Sequence, residues 1–397
     1  MTGEQQLPLA GVRIIDFTQV YSGPCCTQML GDFGADVIKI ERPGTGDLSR
    51  TSFPDEGGLD NPIFFSINRN KRSVSVNTRT DEGRQVIYDL VRDADVVVSN
   101  FRAGVMERIG FGYEKLRTIN PRVIWASATG FGPEGPYKHK GGQDVLTQAY
   151  TGVMWRRASE DLPISIYATT LCDYTTGMHL AQGILLALLN RERTGEGQQV
   201  EVSMYDSMLH MQMQEASTRL NRDKEINWAA TPLSGAFQTT DGAICMVGAF
   251  KENPLRDICV ALEIGEDLSR REEFATLEKQ YENRPYLQRT FTERFATNST
   301  GYWMKRLEAQ DLLCAPVRTM AEALRDEQTI INKMIIEMQH PTAGTVRALG
   351  NPLHLSATPA RVDRVPPRLG EHGEEVLAEI GYAPEQISRL REQGVLA

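Results

Sequence analysis

Between residues 11 and 131 the chain alternates short β-branched runs with helical stretches, and this alternation restricts the fold more than any other feature. Residues 11–50, GVRIIDFTQVYSGPCCTQMLGDFGADVIKIERPGTGDLSR, read as a strand, a Gly-Pro turn, a helix and a second strand VIKIE. Such a βαβ opening requires a parallel sheet, because two parallel strands need a crossover between them. Residues 68–131 keep the rhythm: the basic turn NRNKRSVSVN leads into a strand, TDEGRQVIYDLVRDA is a helix, DVVVSN a buried strand, and FRAGVMERIGFGYEKLRTINP leads through a helical turn to the strand VIWASATGFG. The polar turns at Ser99-Asn100 and Thr129-Gly130 then mark the carboxyl edge of the sheet, where open α/β folds bind ligands. Lys71, Arg72, Arg102 and Arg108 gather around these edges in the sequence. Each alone is ordinary surface charge, but together they point to a phosphate-bearing ligand. Glu41 closes the second strand where a ribose-binding acid would sit, yet SGPCCTQ replaces GxGxxG, which argues against a nicotinamide or flavin cofactor.

A second stretch, Leu171 to Leu189 (LCDYTTGMHLAQGILLALL), carries one acid ahead of a long apolar run. Gly177, Ala181, Ile184, Leu185 and Leu188 recur at helical spacing, which predicts a buried helix starting at Tyr174 or Thr175 and too short to span a bilayer. Asp173 just before it has two readings. It can cap the free amides of the first turn, or the positive helix end can keep it ionised and aimed at a substrate as nucleophile or base. Its neighbour Cys172 reads as a small buried apolar residue rather than a nucleophile.

At 397 residues two domains are expected. Residues 133–152, PEGPYKHKGGQDVLTQAYTG, form a Gly-rich loop into a helix near Asp144, and NRERTGEGQQVEVSMYDSMLHMQMQEAS gives a charged turn, a strand and a Met-rich helix whose methionines read as core packing. After about residue 222, GAFQTTDGAICMVGA reads as a hairpin with a DG turn and residues 252–312 as helices, a smaller α+β domain. The expected layout is 1–200 for a large domain, 201–227 for a linker helix, 228–325 for a small domain and 326–397 for a return linker and C-terminal segment packing on the large domain. Forty-three Lys and Arg against 52 Asp and Glu, a net charge of −9, argue against nucleic acid or an anionic membrane as partner. The six cysteines form no metal-ligand pattern, and the N-terminus MTGEQQLPLAG lacks the regions of a signal peptide, so a cytoplasmic protein with reduced thiols and no metal is expected.

Taken together, GVRIIDFTQVYSGP with GDFGADVIKIERPGTGD, NRNKRSVSVN, VVVSNFRAGVMERIGFGYEKLRTINPRVI, SATGFGPEGPY, GQDVLTQAYTG, the LCDYTTGMHLAQGILLALLNRERTGEGQQVEVSMYDS run and LGEHGEEVLAEIGY resemble the class III CoA-transferases over almost the full length. That family includes formyl-CoA transferase, carnitine CoA-transferase and alpha-methylacyl-CoA racemase. The resemblance implies an α/β fold with a large Rossmann-like parallel-sheet domain plus a smaller α+β domain, joined by long linkers, in an interlocked homodimer. It implies an acyl-CoA:carboxylate CoA-transferase acting on small, dicarboxylic acids, with coenzyme A as substrate and no permanently bound cofactor. Asp173 takes the position of the acid that attacks the thioester, through an aspartyl mixed anhydride and aspartyl thioester. The resemblance further carries CoA contacts onto Val20 and Tyr21 (pantetheine arm), Lys71 and Arg72 (basic turn), Asn100, Phe101 and Arg108 (adenosine and phosphates) and Met204 (thiol end).

The sequence departs from the family's branches at two places. The racemase branch has a His where Gln143 stands here, and Gln is no proton-transfer base; a racemase or epimerase is therefore the alternative, with a catalytically silent CoA-binding homologue behind it. The formyl transferase branch has a Gln where Tyr21 stands and a glycine-rich loop where AATPLSGAFQ runs, which weighs against a specific formyl-CoA:oxalate pairing. Arg156 and Arg157 are candidates for holding an acceptor's distal carboxylate.

Overall fold

The computed structural model describes residues 6–53 and 55–397; residues 1–5, part of the stretch read for a signal peptide, lie outside the described residues. The chain divides into two compact units. The first holds residues up to Thr151, Ile166–Gln212 and Asn332–Ala397, and the second holds Gly152–Ser165 and Met213–Ile331.

Among the described residues, six strands build the main sheet of the first unit: β1 (Arg13–Asp16), β2 (Asp36–Glu41), β3 (Lys71–Ser75), β4 (Val96–Ser99), β5 (Ile124–Thr129) and β6 (Gln199–Ser203). All pair in parallel, in the order β3-β2-β1-β4-β5-β6. The alternation seen in the sequence thus yields a doubly wound sheet, whose order reverses between β1 and β4. Among the described residues, eight α-helices take part up to residue 211: α1 (Ser22–Asp32), α2 (Pro62–Ser66), α3 (Asp81–Arg92), α4 (Val105–Arg108), α5 (Tyr113–Ile119), α6 (Asp144–Tyr150), α7 (Leu171–Thr194) and α8 (Met204–Met211). The central strands are buried on both faces, which is why VVVS, and Ile14-Ile15 within RIID, read as apolar without alternation. One face of the sheet packs Ile14, Val37, Val96 and Ile124 against Leu30 of α1 and Leu180, Ala181, Ile184 and Leu188 of α7. The other packs Ile15, Ile38, Val97 and Trp125 against α3, α5 and the C-terminal helices Gly373–Glu379 and Pro384–Glu392.

Helix α7 stops for a local reason. Gly195 adopts a left-handed φ of 79° and returns its N–H to the Arg191 carbonyl at 2.8 Å. The Arg191 guanidinium, itself buried, turns back to Asp95 at 2.7 Å. The Met-rich run after β6 is broken at Gln212 into α8 and α9 (Met213–Arg222), so residues 201–227 are a strand end and two helices rather than one linker helix. Met204 and Met208 are core residues, whereas Met211 and Met213 are exposed.

In the second unit the expected hairpin forms: β7 (Ser234–Gln238) and β8 (Ala243–Val247) pair antiparallel, and β9 (Leu313–Pro316) adds to β8. Helices Pro254–Ala261, Arg284–Phe295 and Thr300–Ala309 cover Phe237, Ile244 and Met246. Trp303 lies fully buried there with its indole N–H donated to the Phe295 carbonyl at 2.9 Å. A last hairpin, β10 (Ile335–His340) with β11 (Gly344–Leu349), belongs to the first unit and packs on Phe64 and Phe65 of α2.

Beneath the carboxyl end of β1 lies a set of buried charges. Asp16 receives the Lys71 ammonium at 3.2 Å, and Lys39 meets Asp47 at 2.7 Å and donates to the Thr18 carbonyl at 2.7 Å. All four ionic side chains are essentially inaccessible to solvent. Coulombic attraction offsets their desolvation only while both signs are present. Replacing Asp16 with Ala would leave two buried ammonium groups under-compensated, and urea unfolding is expected to show a loss of about 3–5 kcal/mol.

Candidate active site

The point of strand-order reversal places the loop after β1 beside the residue after β4. Asn100 uses its whole amide there, accepting the Gln19 N–H at 2.9 Å and donating to the Gln19 carbonyl at 2.7 Å. Asp47 accepts the Val20 N–H at 3.0 Å, and Asp16 accepts the Thr18 N–H at 2.8 Å. Held on these sides, Val20 adopts φ +68°, a conformation strongly disfavoured for a β-branched residue, with its side chain 42% exposed. Strain of this kind is maintained where surrounding structure over-determines the backbone, and it clusters at ligand sites.

The loop feeds directly into α1, whose first turn abuts the first turns of α7. A Cβ at Gly177 would lie 2.5 Å from the Ser22 carbonyl oxygen, so only glycine allows this approach. Asp173 sits at that junction, half-buried, with the Ser22 hydroxyl hydrogen-bonded to it. Burial, and next the charge of Asp144, push its carboxyl up to about 6, against a smaller downward pull from Ser22. Tyr21 flanks it, its half-buried phenol bonded to the Thr170 side chain and raised above its ordinary range chiefly by desolvation.

The expected capping arrangement is corrected here. Helix α7 begins at Leu171, so Asp173 is its third residue and not its cap. The cap is supplied from α6: one oxygen of the buried Asp144 carboxylate accepts both the Cys172 N–H (2.8 Å) and the Asp173 N–H (3.0 Å). Sequence periodicity cannot reveal a cap donated from 28 residues upstream. Cys172 is fully buried, and desolvation with the Asp144 charge pushes its thiol to about 12, which leaves it inert at neutral pH. Gln143 caps α6 with its own side chain, accepting the Val145 N–H at 3.1 Å, so it offers no base.

The other site residues read from the sequence divide into two groups. Val20, Tyr21, Asn100 and Phe101 all stand at or beside the β1–β4 crevice, with Arg108 exposed in α4 just beyond. Phe101 and Arg102 border a cavity of about 260 Å³ floored by Ser99, Trp125 and Ser127. Met204 is buried at the end of β6, its sulfur 3.4 Å from where a Cβ of Gly142 would lie, under the loop that leads to Asp144. Lys71 and Arg72 are elsewhere, contrary to their reading as a basic turn. They are the first residues of β3: Lys71 is locked against Asp16, the Pro24 carbonyl and Asn68, and Arg72 lies at the amino edge against Asp36, Glu375 and Glu379. Glu41, the would-be ribose acid, is spent on Arg50, at 2.8 and 3.0 Å. The arginines that do follow the carboxyl ends of β2, β3 and β4 are Arg42, Arg79 and Arg102, all exposed and with no ion pair among the described residues. Arg42 and Arg79 were missed, although their positions just past the strands' ends were readable. Arg156 and Arg157 belong to the second unit, where Arg157 lies over the Trp155 ring at 5.2 Å.

Comparison with known proteins places the chain in a family. The family model described as CoA-transferase family III matches residues 9–373. An acyl-CoA transferase of Fusarium pseudograminearum is 34% identical, over 98% of this chain and 88% of its own. A formyl-CoA:oxalate CoA-transferase of Rhodopseudomonas palustris is also 34% identical, over 98% of this chain and 97% of its own. Among solved structures, a CaiB/BaiF family protein from Brucella suis superposes with a TM-score of 0.84 at 32% identity, covering 95% of this chain and 100% of that one. Rv3272 from Mycobacterium tuberculosis gives 0.81 at 31%, covering 92% and 98%.

The close approach at Gly177 is testable. Gly177→Ala should force α1 and α7 apart at the Asp173 junction, lowering stability by about 1–3 kcal/mol in chemical denaturation. Turnover should fall further than that loss of folded protein accounts for.

Proposed function

The chain belongs to CoA-transferase family III, and from that premise we propose that it exchanges coenzyme A between small carboxylic acids with Asp173 as the nucleophile. The observation that carries this reading is a half-buried carboxylate of raised basicity at the carboxyl edge of a doubly wound sheet, next to a strained loop and a hydroxyl donor. In the proposed sequence the Asp173 carboxylate attacks the thioester carbonyl, forming a mixed anhydride and releasing CoA thiolate. The thiolate then attacks the aspartyl carbonyl, giving an aspartyl thioester and the freed first acid. The acceptor carboxylate repeats these two steps in reverse, regenerating Asp173 and leaving as the new CoA ester. Each step exchanges one activated acyl bond for another, so the chemistry requires neither a metal nor ATP.

Small dicarboxylic acids are the proposed substrate class, supported by relatives whose names couple formyl-CoA to oxalate. Tyr21, in place of the glutamine of the formyl branch, favours a pair other than that one. For CoA, the proposed contacts are Val20, Tyr21, Asn100, Phe101 and Arg108, with Arg42 and Arg79 added and Met204 towards the thiol. An interlocked homodimer in the cytoplasm, its linkers running through residues 201–227 and 326–397, completes the proposal. Support for the dimer comes from Leu185, Leu186 and Leu189, apolar residues of α7 that are 38, 67 and 54% exposed in the single chain. No helix among the described residues is long and apolar enough to cross a membrane.

The test incubates the protein with acetyl-, succinyl- and formyl-CoA against a panel of mono- and dicarboxylic acids and reads new thioesters by mass. Exchange that disappears in a folded Asp173→Ala variant supports the proposal; exchange retained in it refutes the nucleophile. Solvent deuterium entering the α-carbon with no acceptor acid present would replace transfer with racemisation.

A further inference from the structure

The amides at the start of α7 are already engaged, and this decides how Asp173 can work. A carboxylate near a helix N-terminus is ordinarily stabilised as the anion by free N–H groups and the helix dipole. Here the Cys172 and Asp173 N–H groups both go to Asp144 instead. The other Asp144 oxygen accepts the Gln148 side-chain N–H at 2.6 Å, and Gln148 is itself fully buried. Gln148 in turn grips the irregular segment entering α7, accepting the Tyr167 N–H at 3.1 Å and donating to the Tyr167 and Thr169 carbonyls at 3.3 Å each. Helix α6 is therefore a bracket: two side chains one turn apart hold both the lead-in segment and the first turn of α7.

We propose that Asp144 is a positioning residue for the transfer reaction, holding the first turn of α7 in place while withholding its amides from the Asp173 carboxylate and facing it with a negative charge. Asp173 is thereby aimed by the same group that makes it a stronger base, and a more basic carboxylate is a better nucleophile towards a thioester carbonyl. The groups facing Asp173 are Ser22, Tyr21 and Cys25 from the α1 side, Asp144 from α6, and Cys172 on its own helix. Ser22 alone among them pulls its carboxyl downward, while Asp144 is the one that adds a carboxylate charge.

The inference rests on the reading of Asp173 as nucleophile, so its test includes a readout independent of turnover. In protein labelled with ¹³C at the aspartate carboxyls, the Asp173 signal, assigned by its loss in Asp173→Asn, should titrate near 6 in the wild type. In Asp144→Asn, or in Asp144→Ser as a second neutral cap, the midpoint should drop by about one pH unit, because the neighbouring charge is gone. The acid limb of kcat/KM should drop with it, and kcat above that limb should fall several-fold with KM for the CoA ester nearly unchanged. Gln148→Leu loosens the same bracket but leaves the charge in place, so it should lower the melting temperature without moving the midpoint. A wild-type midpoint near the ordinary 3.8, or one that stays in place in the neutral variants, overturns the inference. Exchange surviving in Asp173→Ala would instead refute the proposed function, leaving the titration interpretable by itself.

Discussion

The buried ionic set of Asp16, Lys39, Asp47 and Lys71 is the interaction on which the site depends. Lys39 and Asp47 hold opposite ends of the loop after β1, at the Thr18 carbonyl and the Val20 N–H, while Asp16 takes the Thr18 N–H and Lys71 neutralises Asp16. Burying four charges is expensive, and well-packed apolar residues would commonly do as well for stability alone. What an apolar core cannot do is hold a β-branched residue at positive φ by its own amide. The set therefore exchanges stability for a particular backbone shape at the point where the sheet order reverses.

Asp173 shows the same exchange at the next level. A carboxyl raised from 3.8 to about 6 is destabilising when ionised, by roughly 3 kcal/mol at neutral pH. The sign follows from linkage: the folded chain holds this proton more tightly than the unfolded chain does, so the contribution to stability falls as pH rises from about 4 to about 6. A structural aspartate near a helix start would be arranged the other way, with free amides lowering its pKa. Here Asp144 has those amides, and Gly177 lets α1 close over the junction. With Asp173 as the proposed nucleophile, the arrangement favours reactivity of one carboxylate over economy of the fold.

Much of the architecture was legible because it rests on local pattern. The β-branched runs gave the strands, their βαβ spacing gave the parallel sheet, and the DG turn gave the β7–β8 hairpin. Asp173 stood out as an acid leading a long apolar helix within family motifs. The misreadings share one cause. Lys71 and Arg72 looked like a solvated basic turn because a strand that begins with two cations is indistinguishable from a turn until its partners are known, and those partners, Asp16, Asp36 and Glu379, lie up to 307 residues away. Arg42 and Arg79, by contrast, are single exposed cations just past strand ends, readable from position but without the clustering that drew attention to Lys71 and Arg72.

The sequence by itself determined the class of fold and the family, and it singled out Asp173 as the proposed nucleophile, since strand and helix periods and contiguous motifs are encoded over short spans. Only the tertiary structure decided the state of that residue. Whether Asp173 receives the helix amides or cedes them to Asp144 depends on where α6 lands relative to α7. Whether a lysine binds a phosphate or locks a core depends on which strand it begins and what faces it. Those are properties of packing between distant segments, and electrostatic environment follows from packing rather than from residue order.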